Sequence, residues 1–170
     1  MSLIAKSKLQ FAYGQFDVFD PAVYDGGVLW TDIHSQQGFA RRGSYVSFRT
    51  LSDFGTAELS VFLSSYFRHH EYQRVVEVPM LATGGIIEIE GPEEAFVIDR
   101  KIEIGPGNYR LTAAQRLTDE YDEESGSYVL MVDIFFEEVS RPLLNSRILV
   151  SDSDLSPPAV LMESAEIPKF

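Results

Sequence analysis

Five carboxylates in six residues form the densest group of chemically capable side chains in this sequence, in the run Asp119-Glu120-Tyr121-Asp122-Glu123-Glu124. The residues that follow, Glu124-Ser125-Gly126-Ser127, favour a tight turn, so the run is predicted to lie at the tip of a hairpin between the last two strands. Such a tip can simply remain solvated and protect a sheet edge. It can also dock a basic protein partner. A calcium site would need oxygens converging at about 2.3–2.6 Å, and the spacing does not match a helical calcium loop, so no metal ligand is assigned.

The segment Trp30-Thr31-Asp32 is the second candidate for partner binding, because it lies in a connector and connectors often carry function. Trp30 and Asp32 therefore join Asp119, Glu120, Asp122, Glu123 and Glu124 as predicted partner-binding residues. We expect Trp30 to be at least half buried and to fix this connector to a sheet. Trp30 and seven other aromatic residues could line a sugar or peptide platform, but in an all-β chain with 12% aromatic residues most of these seven are expected in the core: Phe39, Phe48, Phe54, Phe62, Tyr66, Phe67 and Phe96.

The histidines do not form a recognisable metal site. His69 and His70 are adjacent, and adjacent side chains on a strand point to opposite faces, so the pair is expected at a solvated strand end. His34 is isolated on a connector. The chain has no cysteine, which excludes disulfides, thiolate metal centres and a cysteine nucleophile.

Motifs for catalysis are absent from the sequence. It lacks a Gly-x-Ser-x-Gly elbow, a His-Glu-x-x-His motif and a phosphate-binding glycine loop. Paired carboxylates for glycoside cleavage are defined by their separation in space, so the sequence leaves that chemistry open. We predict a protein that is not an enzyme and needs no cofactor.

The charge is unevenly distributed along the chain. The net charge is −12, and residues 81–170 contain 18 acidic and 7 basic residues, whereas residues 1–80 contain 8 and 7. A protein of this charge repels phosphate backbones and anionic lipids. We therefore expect a protein partner, neither direct nucleic-acid binding nor membrane insertion, and, without a signal-peptide pattern, a cytoplasmic location.

Alternation of period two runs through most of the chain and predicts an all-β fold, an antiparallel β-sandwich or jelly roll of about eight strands. Between Trp30 and Phe39 the sequence allows one short connecting helix, capped by Thr31 or Asp32 and ended by Gly38. The predicted strands are Leu9–Phe19, Tyr45–Thr50, Thr56–Ser64, Tyr72–Met80, Gly85–Glu90, Ala95–Ile104, Tyr109–Arg116 and Tyr128–Val139. Asp133 interrupts the last of them and needs a partner, since an unpaired buried carboxylate is costly.

The composition changes after Ser140. We predict a single sandwich domain over residues 1–140 and a C-terminal arm over residues 141–170 with poor strand potential. Two apolar triplets, Ile148-Leu149-Val150 and Val160-Leu161-Met162, are expected to dock the arm on the body, because they would otherwise be exposed.

Several segments, in this order and spacing, resemble the competence protein J family, small proteins associated with bacterial DNA uptake. The resemblance covers about residues 9–136 and rests on Tyr13-Gly14-Gln15-Phe16-Asp17-Val18, Trp30-Thr31-Asp32, Gly38-Phe39-Ala40, Val46-Ser47-Phe48, Val76-Glu77-Val78-Pro79 and Gly107-Asn108-Tyr109-Arg110-Leu111-Thr112. It implies a non-catalytic inhibitor that binds a membrane-associated DNA-entry nuclease. The arm and the acidic hairpin lie outside the resemblance. The competing interpretation is a calcium-dependent or small-ligand-binding module on the same sandwich.

Overall fold

The fold is that of a computed structural model, which describes residues 2–68, 71–91 and 101–169. The predictions for His69, His70 and Phe96, and part of the predicted strand Ala95–Ile104, lie outside the described residues.

The described residues form eleven strands in two sheets. The larger sheet contains β1 (Leu3–Phe11), β5 (Gly55–Phe62), β6 (Arg74–Ala82), β9 (Gly107–Asp122), β10 (Ser127–Val139) and β11 (Arg147–Val150). Their order across it is β1-β5-β10-β9-β6-β11. The smaller sheet contains β2 (Gln15–Phe19), β3 (Phe39–Arg42), β4 (Tyr45–Arg49), β7 (Ile86–Glu90) and β8 (Ile102–Glu103). Its order is β3-β4-β2-β7-β8. The prediction of an all-β sandwich is confirmed.

The core lies between the two sheets because each strand directs alternate side chains inward. Leu59 and Val61 of the larger sheet belong to the same buried cluster as Phe16 and Phe48 of the smaller one. The rings of Phe16 and Phe48 are stacked with centroids 5.4 Å apart. Burying one such aromatic side chain contributes about 1.5–3 kcal/mol, so this shared cluster holds the sheets together.

The prediction of one strand over Leu9–Phe19 was wrong, because a turn at Tyr13-Gly14 divides it. The φ angles of Tyr13 and Gly14 are 58° and 67°, and the chain passes there from the larger sheet to the smaller one. Positive φ is incompatible with a continuous strand. This division, with the unpredicted β3 and β11, explains why the part of the chain that the structure describes has eleven strands where about eight were expected.

One strand pair departs from the expected antiparallel arrangement. β10 runs parallel to β5, with Leu130 opposite Ala57 and Ile134 opposite Val61. A parallel pair needs a long crossover, and here the chain between β5 and β10 supplies it, since it forms β6 to β9 and visits both sheets. Every other named strand pair is antiparallel.

The short connecting helix is confirmed. Helix α1 spans Asp32–Gln37, with Thr31 as its N-cap and Gly38 as its C-cap at φ 88°. A left-handed C-cap favours glycine, since any side chain there is strained. A 3-10 turn covers Pro21–Val23. None of the helices in the described part of the chain has the length and apolar character to span a bilayer.

The C-terminal segment contributes a strand, which corrects the expectation of poor strand potential. β11 pairs with β6 at the edge of the larger sheet. Each apolar triplet docks only in part, because Ile148 and Leu161 pack against the core while Val160 is exposed.

Asp133 has the partner that its position requires: its Oδ2 accepts a hydrogen bond of 2.5 Å from the Tyr72 hydroxyl. Burial raises the pKa of that phenol, so it stays protonated and donates.

Candidate functional site

The acidic run lies at the end of the β9–β10 hairpin, as predicted. Asp119 to Asp122 close β9, and Ser127 opens β10. Asp122 organises the turn, since it accepts hydrogen bonds from the Thr56 hydroxyl (2.8 Å) and from the amide of Glu124 (3.1 Å). The Thr56 bond holds the pKa of Asp122 below its ordinary value, although partial desolvation opposes it. This carboxylate is therefore ionised at neutral pH.

Gly55 sets the position of the hairpin against β5. Its φ is 142°, and a Cβ at this position would lie 2.3 Å from Ser127 Oγ. The Ser127 hydroxyl would have to rotate away from a Cβ there, and any side chain is strained at this positive φ, so glycine is favoured where the base of the hairpin approaches the start of β5. The acidic tip thereby lies against β5 and β1.

A groove of about 350 Å³ lies beside the tip. Most of the charged side chains that line it are carboxylates, and Lys8 is the one basic residue among them. The lining residues are Lys8, Gln10, Thr56, Glu58, Glu120, Tyr121, Asp122, Glu123, Glu124 and Val129. A second groove, of about 220 Å³, shares Gln10 and Glu124 with the first and extends to Phe54.

A third groove, of about 240 Å³, continues the same surface towards helix α1. It is lined by Tyr13, Trp30, Arg49 and Asp53, with Gly14, Gln15 and Ser35. Asp53 precedes Phe54 of the second groove, and its carbonyl accepts a 2.7 Å hydrogen bond from the amide of Gly14. The three grooves therefore form one strip across the end of the sandwich. We call it the end surface, defined by Tyr13, Trp30, Asp53, Phe54, Glu58, Glu120, Asp122, Glu123 and Glu124.

The end surface is strongly negative. Its lining contains six carboxylates against two cations, Lys8 and Arg49. The Arg49 guanidinium donates to the carbonyls of Ser35 and Asp154, each at 3.0 Å. Backbone carbonyls do not neutralise its charge, so the net charge of the strip is −4, the difference between six and two. This surface is suited to a positively charged partner.

Trp30 closes one end of the strip and is held by polar groups beneath it. Its indole N–H donates a 3.0 Å hydrogen bond to Ser47 Oγ. Gln15 Nε2 joins Ser47 to Asp17, at 3.3 Å and 3.4 Å, and the Tyr45 hydroxyl donates to Asp17. Trp30 is more than half buried, which confirms that it fixes the connector to the smaller sheet.

Asp17 is the buried carboxyl group of this network. Burial raises the pKa of its carboxyl above 3.8, and hydrogen bonds from Ser47, Tyr45 and Gln15 only partly offset that rise. A raised pKa means that the folded protein favours the protonated carboxyl. The contribution of Asp17 to the free energy of unfolding is fully present below pH 3.8 and is lost as the pH rises through the pKa that the carboxyl has in the folded state.

We expect the substitution Asp17→Asn to raise the free energy of unfolding at pH 7, because the amide keeps the size of the side chain without a buried charge. The difference between variant and wild type should grow as the pH rises above 3.8. Urea unfolding measured from pH 3.5 to 7.5 tests this. Asp25→Asn is the control: the hydrogen bond from Arg42 lowers the pKa of Asp25, and because this pair is exposed to solvent, the variant should lose only a little stability at pH 7. A variant less stable than wild type at pH 7 would contradict the prediction.

The predicted partner-binding residues are only partly brought together. Glu120, Asp122, Glu123 and Glu124 line one groove and Trp30 lines another on the same strip. Asp119 and Asp32 are exposed and line none of these three grooves. Sequence reasoning missed Tyr13, Asp53, Phe54 and Glu58 as members of this surface. The Tyr13-Gly14 dipeptide was the available signal, since glycine inside an alternating run indicates a turn or bulge.

His34 is a buried residue of α1, which corrects its expected place on a loop. Its Nδ1 accepts from the amide of Thr31 at 3.0 Å, and its Nε2 donates to the Ser164 carbonyl at 2.9 Å. Because an amide only donates and a carbonyl only accepts, the proton is assigned to Nε2. Within residues 2–68, 71–91 and 101–169, no three or more Asp, Glu or His side chains converge to hold a metal ion.

Comparison with known proteins extends these observations. Residues 8–141 match the family model of competence protein J (ComJ). The fold is similar to the crystal structure of ComJ from Bacillus subtilis, described as the inhibitor of the DNA-degrading activity of NucA, with a TM-score of 0.58, 20% identity, and coverage of 79% of this chain and 97% of that chain. A protein described as crocagin biosynthetic gene J aligns with a TM-score of 0.39, 12% identity, and coverage of 81% and 99%. No curated protein sequence matched the chain. The family match covers well over half of its length, so this chain belongs to the competence protein J family.

Proposed function

We propose that this protein is a non-catalytic inhibitor of a DNA-degrading nuclease and that its acidic hairpin docks on the nuclease. The family match over residues 8–141 carries the proposal, together with the inhibitory role stated for ComJ from Bacillus subtilis. The negative end surface supports it independently, because a nuclease must present cationic groups to DNA phosphates. A carboxylate-rich surface competes for those groups.

The protein inhibits by occupying the DNA-binding surface of the nuclease. The carboxylates of the hairpin attract the cationic surface over a distance of about one Debye length, roughly 8 Å at physiological salt. The inhibitor then covers the surface on which DNA would lie. Charges at the rim of an interface act chiefly on encounter, so they raise the association rate more than they slow dissociation. Inhibition should therefore weaken as salt rises.

The test uses a purified nuclease of the NucA type from the organism that makes this chain. The hairpin variant carries Asp119→Asn, Glu120→Gln, Asp122→Asn, Glu123→Gln and Glu124→Gln, which removes five charges and keeps the side-chain sizes. We expect its association rate constant to fall by about tenfold or more at low salt, since electrostatic steering contributes factors of about 10–10³. Stopped-flow binding and DNA degradation give the two readouts.

A control variant removes the same number of charges elsewhere, with Glu88→Gln, Glu103→Gln, Glu138→Gln, Asp154→Asn and Glu166→Gln. It should associate much faster than the hairpin variant, because its carboxylates lie outside the end surface. Equal rates for the two variants would assign the effect to net charge and contradict docking by the hairpin. A wild-type protein that does not inhibit at equimolar concentration would contradict the whole proposal. Calcium-dependent thermal stabilisation that the hairpin variant loses would favour the metal-binding alternative.

A further inference from the structure

Tyr13 has a costly position in the fold. It is the one residue other than glycine with positive φ in the described part of the chain, at 58°. A left-handed backbone costs an ordinary side chain free energy because its Cβ crowds the following carbonyl. Asn, Asp and Gly are the residues that tolerate this conformation in two-residue turns. The turn itself therefore favours a residue other than tyrosine.

Packing within the fold does not compensate for this strain. The Tyr13 side chain is 78% exposed, more than any other aromatic residue that the structure describes. Gly14 and Gln15 hold the turn without the ring: the amide and carbonyl of Gly14 bond to Asp53 and Thr50 at 2.7 Å and 2.8 Å, and Gln15 pairs with Ala12. The hydrogen bonds thus hold the backbone of the turn, while the ring itself is left in water.

The surroundings of the ring indicate what it meets. Tyr13 shares one groove of the end surface with Trp30, and its chain neighbour Ala12 lines another groove with Phe54. Phe54 is also about half exposed. The carboxylates of Asp53 and the hairpin lie on the same strip. An aromatic ring among carboxylates matches lysine- and arginine-rich surfaces, because a guanidinium or ammonium group can stack on the ring and pair with a carboxylate.

We propose that Tyr13 is the aromatic anchor of the end surface and inserts into the cationic DNA-binding surface of the partner nuclease. This inference rests on the proposed function and adds the residue that holds the complex together once it has formed. Interface energy is concentrated in a few tyrosine, tryptophan and arginine side chains near the centre of the contact, with charged groups at the rim. Tyr13 and the hairpin carboxylates line different grooves of the end surface, so the ring and the charges can act at different steps of binding. The ring should therefore control dissociation, whereas the hairpin controls association.

The test compares Tyr13→Asn with Tyr13→Phe. Asparagine suits the turn and removes the ring, so Tyr13→Asn should raise the melting temperature by about 2–4 °C and also increase the dissociation rate constant from the nuclease by about tenfold or more. Tyr13→Phe keeps the ring and should dissociate within about threefold of wild type, since ring stacking on a cation does not need the hydroxyl. Leu144→Ala, a similarly exposed apolar side chain elsewhere, is the control and should bind like wild type.

The outcomes separate this inference from the proposed function. If wild type inhibits the nuclease and Tyr13→Asn dissociates at the wild-type rate, the anchor is refuted while the inhibitor role stands. If wild type does not bind the nuclease, both are refuted. A gain in stability with a loss of binding in Tyr13→Asn supports the anchor, because a misfolded variant would not melt at a higher temperature. Faster dissociation with a lower melting temperature would contradict the claim that the ring is held at a cost to stability.

Discussion

Asp152→Ala is expected to lower the free energy of unfolding by about 3–5 kcal/mol, because it leaves a buried guanidinium without its counter-ion. The Arg74 side chain is fully buried. Its Nε and Nη2 donate to the two oxygens of Asp152 at 2.7 Å and 2.8 Å. Its Nη1 donates to the carbonyls of Arg49 and Thr50. One side chain thus joins the C-terminal segment to β6 of the larger sheet and to the end of β4 in the smaller sheet.

The stability that the Arg74–Asp152 pair contributes depends on pH. Burial opposes ionisation of Asp152, but the hydrogen bonds and charge of Arg74 outweigh it and hold the pKa of that carboxyl below 3.8. A lowered pKa contributes stability that is present above pH 3.8 and lost as the pH falls through the pKa of the folded state. Asp152→Ala should therefore differ most from wild type at neutral pH and converge with it in acid.

Urea denaturation of Asp152→Ala, Arg74→Met and the double variant measures the coupling. The double variant should be more stable than the sum of the single losses predicts, because it leaves no unpaired charge. Asp25→Ala serves as the control. It removes the bidentate contact of Asp25 with Arg42, which is exposed to solvent, and should leave the melting temperature nearly unchanged. A loss for Asp152→Ala no greater than that for Asp25→Ala would refute the role of the buried pair.

The second large effect is expected for Trp30→Ala, which should cost about 3 kcal/mol of stability. The variant loses the burial of a large ring and leaves a cavity beside the smaller sheet. It also leaves Ser47 Oγ without the indole donor at 3.0 Å. Because this serine links through Gln15 to Asp17, the loss should extend to the network beneath the end surface.

Trp30→Phe separates the two contributions. It keeps an aromatic ring and removes the N–H, so its cost should be close to that of one hydrogen bond, about 1 kcal/mol. Thermal unfolding and nuclease binding are measured together for both variants. If Trp30→Ala melted like wild type but no longer bound the nuclease, the residue would be a contact of the interface and not a support of the fold.

Local chemistry in the sequence determined the fold class and several details. The alternation of apolar and polar residues predicted the sandwich because strands place alternate side chains on opposite faces. Thr31 and Gly38 predicted both ends of helix α1, since capping depends on residues next to each other in the chain. The sequence also predicted that Asp133 needs a partner and that the acidic run lies at a hairpin tip.

Tertiary structure alone decided how distant segments meet. The parallel pairing of β10 with β5 and the addition of β11 to β6 join residues far apart in sequence, and no local pattern encodes such pairings. The backbone strain at Tyr13 likewise reflects a chain that must cross between sheets within two residues. Trp30, Phe54 and the acidic hairpin form one surface because three loops meet at the same end of the sandwich. Residue types specify the chemistry of a surface, but only the packing of strands brings its parts together.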